Sequence, residues 1–201
     1  MIWPWDKKMP SERKDEWKTE ELLAGSRPDR PRDPMKPTPR FIISACLCGH
    51  NCRYDGIELT LPRFLRLAAT GLALPVCPEV MGGLGVPRQP CEVMSGRVFT
   101  SDGKDITDNF MRGTFEVLDL ARKYKIKAAI FKDRSPSCGT TMIYDGSFKG
   151  RLIPGQGVAT LILRQNGLTV FNEENAPDYF VSAGNPDEER RILREGTANR
   201  K

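Results

Sequence analysis

AAIFKDRSPSCGTT, Ala128–Thr141, runs from an apolar strand straight into a polar loop that carries a cysteine. Ile126–Asp133 (IKAAIFKD) has the length and apolar density of a buried strand. The Ser, Pro, Ser and Gly that follow are turn formers. Cys138 is therefore expected on a tight loop, where a ligand or a nucleophile sits, and not in a packed core.

The same grammar repeats on either side. Arg40–Leu47 (RFIISACL), Leu72–Val80 (LALPVCPEV) and Leu168–Glu173 (LTVFNE) read as three more strands. Helical patterns separate them. LTLPRFLRLAATG has Pro62 in its first turn and Gly71 at its end. GKDITDNFMRGTFEVLDLARKYK repeats Ile106, Phe110, Phe115, Leu118 and Ala121 at helical spacing. VATLILRQNG closes on Gly167, and YDGSFKGRLIPGQG has the glycine punctuation of a turn or hairpin. Strand and helix in alternation predict an α/β fold: a three-layer, Rossmann-like sandwich with a mostly parallel sheet, in a single domain.

That domain is expected over residues 41–184. Residues 1–40 are charged and proline-rich, too poor in apolar surface to offset ordering entropy, and read as a flexible arm with short-helix signals at Ser11 and Gly25. Residues 185–201 form a charged tail expected to fray. No apolar run is long enough to span a bilayer, and the N-terminus has no apolar stretch of signal-peptide length. A cytoplasmic setting without membrane contact is the expectation. The net charge of +5 over 201 residues permits contact with RNA or phosphate without demanding it.

In a reducing compartment the six cysteines (Cys46, Cys48, Cys52, Cys77, Cys91 and Cys138) read as ligands, catalysts or buried thiols before disulfides. In parallel sheets, ligands bind beyond the carboxyl ends of the strands. Cys46, Cys77 and Cys138 each fall at or just after such an end, so all three are expected in one crevice. No CxxC pair occurs anywhere, which argues against a zinc ribbon or a ferredoxin module. Three ligands from three strand ends make an open site with room for substrate. Glu79, two residues after Cys77, and Ser135 and Ser137, just before Cys138, bring proton-transfer groups to the same crevice. Gly82, Gly83 and Gly139 permit close backbone approach.

SACLCGHNCRYDG, PVCPEVMGGLGVPRQPCEV, SPSCGTTMIYDGSFKG and GQGVATLILRQNGLTVFNE together resemble the thiouracil desulfidase (TudS-type) family, over about residues 41–175. The resemblance implies a 4Fe-4S cluster held by only three cysteines, matching Cys46, Cys77 and Cys138, with the fourth iron open to the substrate's sulfur. It implies Glu79 as the catalytic glutamate and Ser135 as the catalytic serine, with Ser137 as the neighbouring alternative. The implied reaction is non-redox removal of sulfur from a thiolated uracil, as the free base or as 4-thiouridine in a nucleoside or in tRNA. Ser44, Arg53, Asp55, Gly82 and Gly83 are expected to contact substrate. Cys48 and Cys91 have no role in this scheme, Cys52 is a bystander or a blocking fourth ligand, and the lone His50 reads as a loop surface residue. A basic rim of Arg53, Arg63, Arg66, Arg88, Arg97, Lys132, Arg134 and Lys149, joined by Arg27, Arg30, Arg32, Lys36 and Arg40 of the arm, is expected to meet RNA phosphates. The alternatives are a zinc-dependent hydrolase using the same cysteines and a non-catalytic iron–sulfur or RNA-binding module.

Overall fold

The computed structural model describes residues 37–177. Residues 1–36 of the arm, with its helix signals, residues 178–184 and the tail over 185–201 lie outside the described residues. Within them no helix is long and apolar enough to cross a membrane.

The elements in chain order are β1 (Phe41–Ser44), α1 (Pro62–Ala69), β2 (Ala73–Val76), α2 (Pro78–Met81), β3 (Cys91–Met94), β4 (Arg97–Thr100), α3 (Thr107–Tyr124), β5 (Ala128–Phe131), β6 (Met142–Tyr144), β7 (Leu152–Pro154), α4 (Val158–Gln165) and β8 (Thr169–Asn172). Four strands form one parallel sheet in the order β2-β1-β5-β8. Every residue of the two central strands, β1 and β5, is buried, which is why FIIS and AAIF are unbroken apolar runs apart from Ser44.

Alternation along the strands splits the core into two layers. Phe41, Ile43, Ala128 and Ile130 pack with Phe64 and Leu67 of α1 on one face. Ile42, Ala129 and Phe131 pack with Val117, Leu118 and Ala121 of α3 and with Ala159 and Leu163 of α4 on the other. Full burial of side chains such as Phe64 and Leu67 stabilises by about 1.5–3 kcal/mol each. The result is the expected three-layer α/β sandwich. The sheet order reverses between β1 and β5, since the chain passes from β1 outward to β2 and then back across to β5. A crevice opens at that reversal, beyond the carboxyl ends of the strands.

Three details differ from the sequence reading. The first strand ends at Ser44 and turns into a 3-10 segment, Ala45–Leu47, so Cys46 rides on a tight turn. The second ends at Val76, because Pro78 starts α2 and places Glu79 in its first turn. The segment CEVMSGRVFT, to which no element was assigned, is the antiparallel hairpin β3–β4. Its turn residues Ser95 and Gly96 both have positive φ, 50° and 78°, as a two-residue hairpin turn requires.

Candidate active site

Each wall of the crevice is built by a strand end. Cys46 comes from the 3-10 turn after β1, Cys77 from the residue that caps α2, and Cys138 from the loop after β5. With Ser44, Glu79 and Ser135 they line one cavity of about 430 Å³. All three cysteines lie at strand ends on one cavity, as expected. Cys138 is also buried in the core layer with Phe131, Ala159 and Leu163, contrary to the expectation that it sits outside any packed core.

The Cys138 loop is held by side chains that stand in for secondary structure. Asp133 accepts N–H bonds from Thr140 at 2.6 Å and Thr141 at 3.0 Å, and the Thr141 hydroxyl donates to its other oxygen. Burial alone would raise the Asp133 pKa, but these hydrogen bonds outweigh it and lower it to about 2. Ser135 Oγ accepts the N–H of Ser137 at 3.1 Å and of Cys138 at 3.0 Å, which fixes the turn that presents the thiol. Thr160 of α4 donates to the Cys138 carbonyl at 2.8 Å.

Asp133 therefore carries a testable share of stability. Its pKa lies below the ordinary carboxylate value of 3.8, so the contribution is complete above that value and is lost as pH falls through about 2. The shift corresponds to about 2 kcal/mol. Asp133→Asn is expected to lower stability by about 1–3 kcal/mol at neutral pH. Urea melts of both proteins from pH 6 downward should show the gap shrinking as the wild-type carboxylate protonates.

The two serines part company here. Ser135 lines the cavity and donates to Glu79 Oε1 at 3.4 Å. Ser137 is fully buried outside the cavity wall, and its Oγ has no hydrogen-bond partner among the described residues. The other oxygen of Glu79, Oε2, accepts from Arg88 Nε at 2.9 Å and Nη2 at 2.6 Å, with both side chains about 10% exposed. Burial works against the Arg88 charge, yet the Glu79 carboxylate more than compensates and raises its pKa.

The thiols are unequal. The Cys52 thiol hydrogen-bonds to both Cys46 and Cys77. These bonds lower the pKa of Cys46 and of Cys77 against the opposing effect of burial, with Lys132 and Arg53 assisting at Cys46 and Arg88 at Cys77. The same two bonds, followed by burial, push Cys52 strongly up, and the Cys77 thiol donates to the Cys52 carbonyl at 3.8 Å. Burial drives Cys138 well above the ordinary thiol range despite a hydrogen bond with Ser44. Cys91 also lines the cavity, and burial pushes its pKa up to about 12. Cys48 packs away from the cavity, its Sγ 3.5 Å from the Phe64 carbonyl, and burial again pushes its pKa up to about 12. His50 is exposed, as expected.

Several expected substrate contacts fall elsewhere. Gly82 does not line the cavity: a Cβ there would collide with the Asn109 carbonyl of α3, and its own carbonyl accepts from the Asn109 and Arg112 side chains. Gly83, with φ +83°, lies under the Arg112 guanidinium. The close approach serves the packing of α2 on α3. Gly139 likewise lies against the Ser135 carbonyl and Ile143. Asp55 lies outside the cavity wall and pairs with Arg53 at 2.5 Å, while Arg53 and Ser44 do line the cavity. Of the basic rim, Arg53, Arg88, Lys132 and Arg134 line it, whereas Arg63, Arg66, Arg97 and Lys149 do not. Arg97 instead pairs with Asp105, and Arg63 stacks over Phe64.

Sequence reasoning missed three groups. Arg88 was read as a phosphate contact but binds Glu79. Glu92, buried in the cavity wall, accepts the N–H groups of Gly146 at 2.8 Å and Phe148 at 3.1 Å and so ties the β6–β7 loop to β3. Glu173 pairs with Lys132 and accepts the Asp133 N–H at 2.7 Å. No spacing rule reaches these partners, since each is brought in by tertiary folding.

A single metal ion requires donors converging on one point. Among the described residues no group of three or more His, Cys, Asp or Glu side chains is arranged to hold one. A cubane cluster takes thiolates at separate corners, and thiols delivered from three strand ends around a roomy cavity suit that need.

The family model for 2-thiouracil desulfurase matches residues 41–175. The uncharacterized protein YbbK of Bacillus subtilis (strain 168) is 35% identical over 150 residues, which span 70% of this chain and 99% of YbbK. The solved structure of TudS, a 4Fe-4S-dependent thiouracil desulfidase, is 40% identical with a TM-score of 0.67, and the match covers 72% of this chain and 97% of that one. The matched stretch holds every strand and helix among the described residues and all the cavity residues discussed above, and the chain belongs to the 2-thiouracil desulfurase family.

Proposed function

We propose that this protein removes sulfur from a thiolated uracil, yielding uracil and hydrosulfide, with a 4Fe-4S cluster held by Cys46, Cys77 and Cys138. One observation carries the reading: three strand-end thiols and a Glu79–Ser135 pair face the same cavity. When bound, the cluster supplies a soft Lewis-acid iron for a thiocarbonyl sulfur. Oε1 of Glu79 is free of Arg88 and faces Ser135, so it is placed to take a proton from the water that adds at the carbon. The Ser135 hydroxyl, which donates to Glu79 Oε1, orients that water, and the protonated Glu79 returns the proton to the departing sulfur, which leaves as hydrosulfide. Of the cations in the cavity wall, Arg53 is paired with Asp55 and Lys132 with Glu173, and Arg134 is the one that favours a substrate carrying phosphate, as a thiolated nucleotide or within tRNA. In tRNA the nucleotide must first leave its stack to reach the cavity.

The test is the iron and acid-labile sulfide content of anaerobically prepared protein, followed in the same sample by loss of thiocarbonyl absorbance from 4-thiouracil, 4-thiouridine monophosphate and 4-thiouridine tRNA. About four irons and four sulfides per chain with turnover support the reading. Zinc in their place, or a full cluster inert towards all three substrates, overturns it.

Cys52 offers a sharper check. Cys52 lines the same cavity as Cys46, Cys77 and Cys138, and in the three-thiol scheme it holds no iron. Cys52→Ala is expected to keep about four irons per chain and most of its turnover. In the metal-free protein the variant should raise the thiol pKa values of Cys46 and Cys77, measured by thiolate absorbance. Loss of iron in Cys52→Ala would instead make it a fourth ligand and close the site to substrate.

A further inference from the structure

Arg88 lies nine residues after Glu79, on the far side of a turn, and returns to the carboxylate through space. Four of its five N–H donors are engaged. Nε and Nη2 bind Glu79 Oε2, Nη2 also binds the Cys52 carbonyl at 3.1 Å, and Nη1 binds the Gly85 carbonyl at 3.1 Å. Its backbone N–H is fixed too, donating to the Tyr54 carbonyl at 2.8 Å. A guanidinium so occupied is a poor phosphate ligand. It is a clamp with three jaws: the carboxylate, the turn after α2, and the loop that carries Cys52.

We propose that Arg88 is a positioning residue: it holds Glu79 by one oxygen so that the other is presented to Ser135 and the reacting water. The inference rests on the desulfidase reading. Without the clamp, Glu79 can turn about its terminal torsions and either oxygen can face the cavity or the solvent. A misplacement of about 1 Å at such a group costs roughly 100-fold in rate. Lysine does not replace it, because a point charge cannot bind Oε2 and two carbonyls at fixed angles.

The experiment is a double-mutant cycle on cluster-loaded enzyme, with iron content, kcat and KM read for each protein. Arg88→Ala is expected to keep its iron and its KM and to lose kcat by about 100-fold. Millimolar guanidinium should restore part of that loss, and methylammonium should not. In a Glu79→Gln background the same substitution should change the residual kcat by less than about twofold, because a residue that acts through Glu79 has nothing left to position. Arg88→Gln serves in the same cycle if the alanine variant does not fold. The inference is overturned if kcat stays within about threefold of wild type, if kcat falls only in proportion to iron, or if the loss is as large with Glu79 already replaced. Absence of turnover in the loaded wild type would remove the desulfidase reading itself, a result distinct from all of these.

Discussion

Glu79→Gln is expected to lower kcat by about 10²–10⁴-fold while the protein keeps its full iron and sulfide content. The carboxylate faces Ser135 and the cavity, and it acts on a proton, so its removal spares the thiols that hold the cluster. Glutamine is the informative replacement. Arg88 and Glu79 are each about 10% exposed, and alanine would leave the guanidinium buried without a counter-charge. Breaking a buried pair in that way costs about 3–5 kcal/mol, and a loss of folding would masquerade as a loss of catalysis. The amide oxygen of glutamine still accepts from Arg88 but cannot take a proton from water. Turnover, iron content and a thermal melt on one preparation separate the outcomes. A fall in iron matching the fall in kcat would make Glu79 a ligand and remove it as the base. Ser135→Ala is a weaker probe, since Ser135 Oγ also accepts the N–H groups of Ser137 and Cys138. Its loss frees the Cys138 loop as well as the hydroxyl.

What could be read in the sequence, and what could not, follows from the range of the interactions. FIIS and AAIF declared themselves as central strands because burial on both faces leaves little room for polar residues. The strand-end rule then gathered Cys46, Cys77 and Cys138 without any contact being known. The choice between Ser135 and Ser137 was beyond it, because two residues of the same type two positions apart differ only through the turn that Ser135 itself caps. The Gly82–Gly83 pair was misread for a related reason. A glycine pair signals close approach, but whether a ligand or a helix approaches depends on where α3 lies. Arg88 shows the limit most clearly. Its charge suggested phosphate, and only the fold reveals that Glu79 already occupies its donors. The β3–β4 hairpin, by contrast, was legible: Ser95-Gly96 between CEVM and RVFT is a hairpin signal that the reading passed over.

Cys138→Ala is expected to drop iron from about four to below about one per chain and to abolish turnover. The loop should survive the change. Its backbone bonds remain, the Cys138 N–H donating to Ser135 Oγ and the carbonyl accepting from Thr160, and only the thiol's hydrogen bond with Ser44 is lost. The melting temperature of the metal-free variant should therefore stay close to that of the metal-free wild type, which separates a lost ligand from a lost fold. Two controls come from the thiols outside the proposed ligand set. Cys48→Ala removes a sulfur packed beside Phe64 in the opposite core layer and should cost about 1 kcal/mol of stability with iron retained. Cys91→Ala empties a position on the β3 wall of the cavity and should also keep iron. The protonation states add a check of direction. Burial keeps Cys138 a neutral thiol in the metal-free protein, whereas Cys46 and Cys77 are lowered by the Cys52 hydrogen bond. Ligation must then remove the Cys138 proton, so cluster uptake by the metal-free wild type should release protons and strengthen as pH rises. Retention of full iron in Cys138→Ala, whatever its activity, would break the three-thiol assignment and make Cys52, already in hydrogen-bond contact with Cys46 and Cys77, the third ligand in its place.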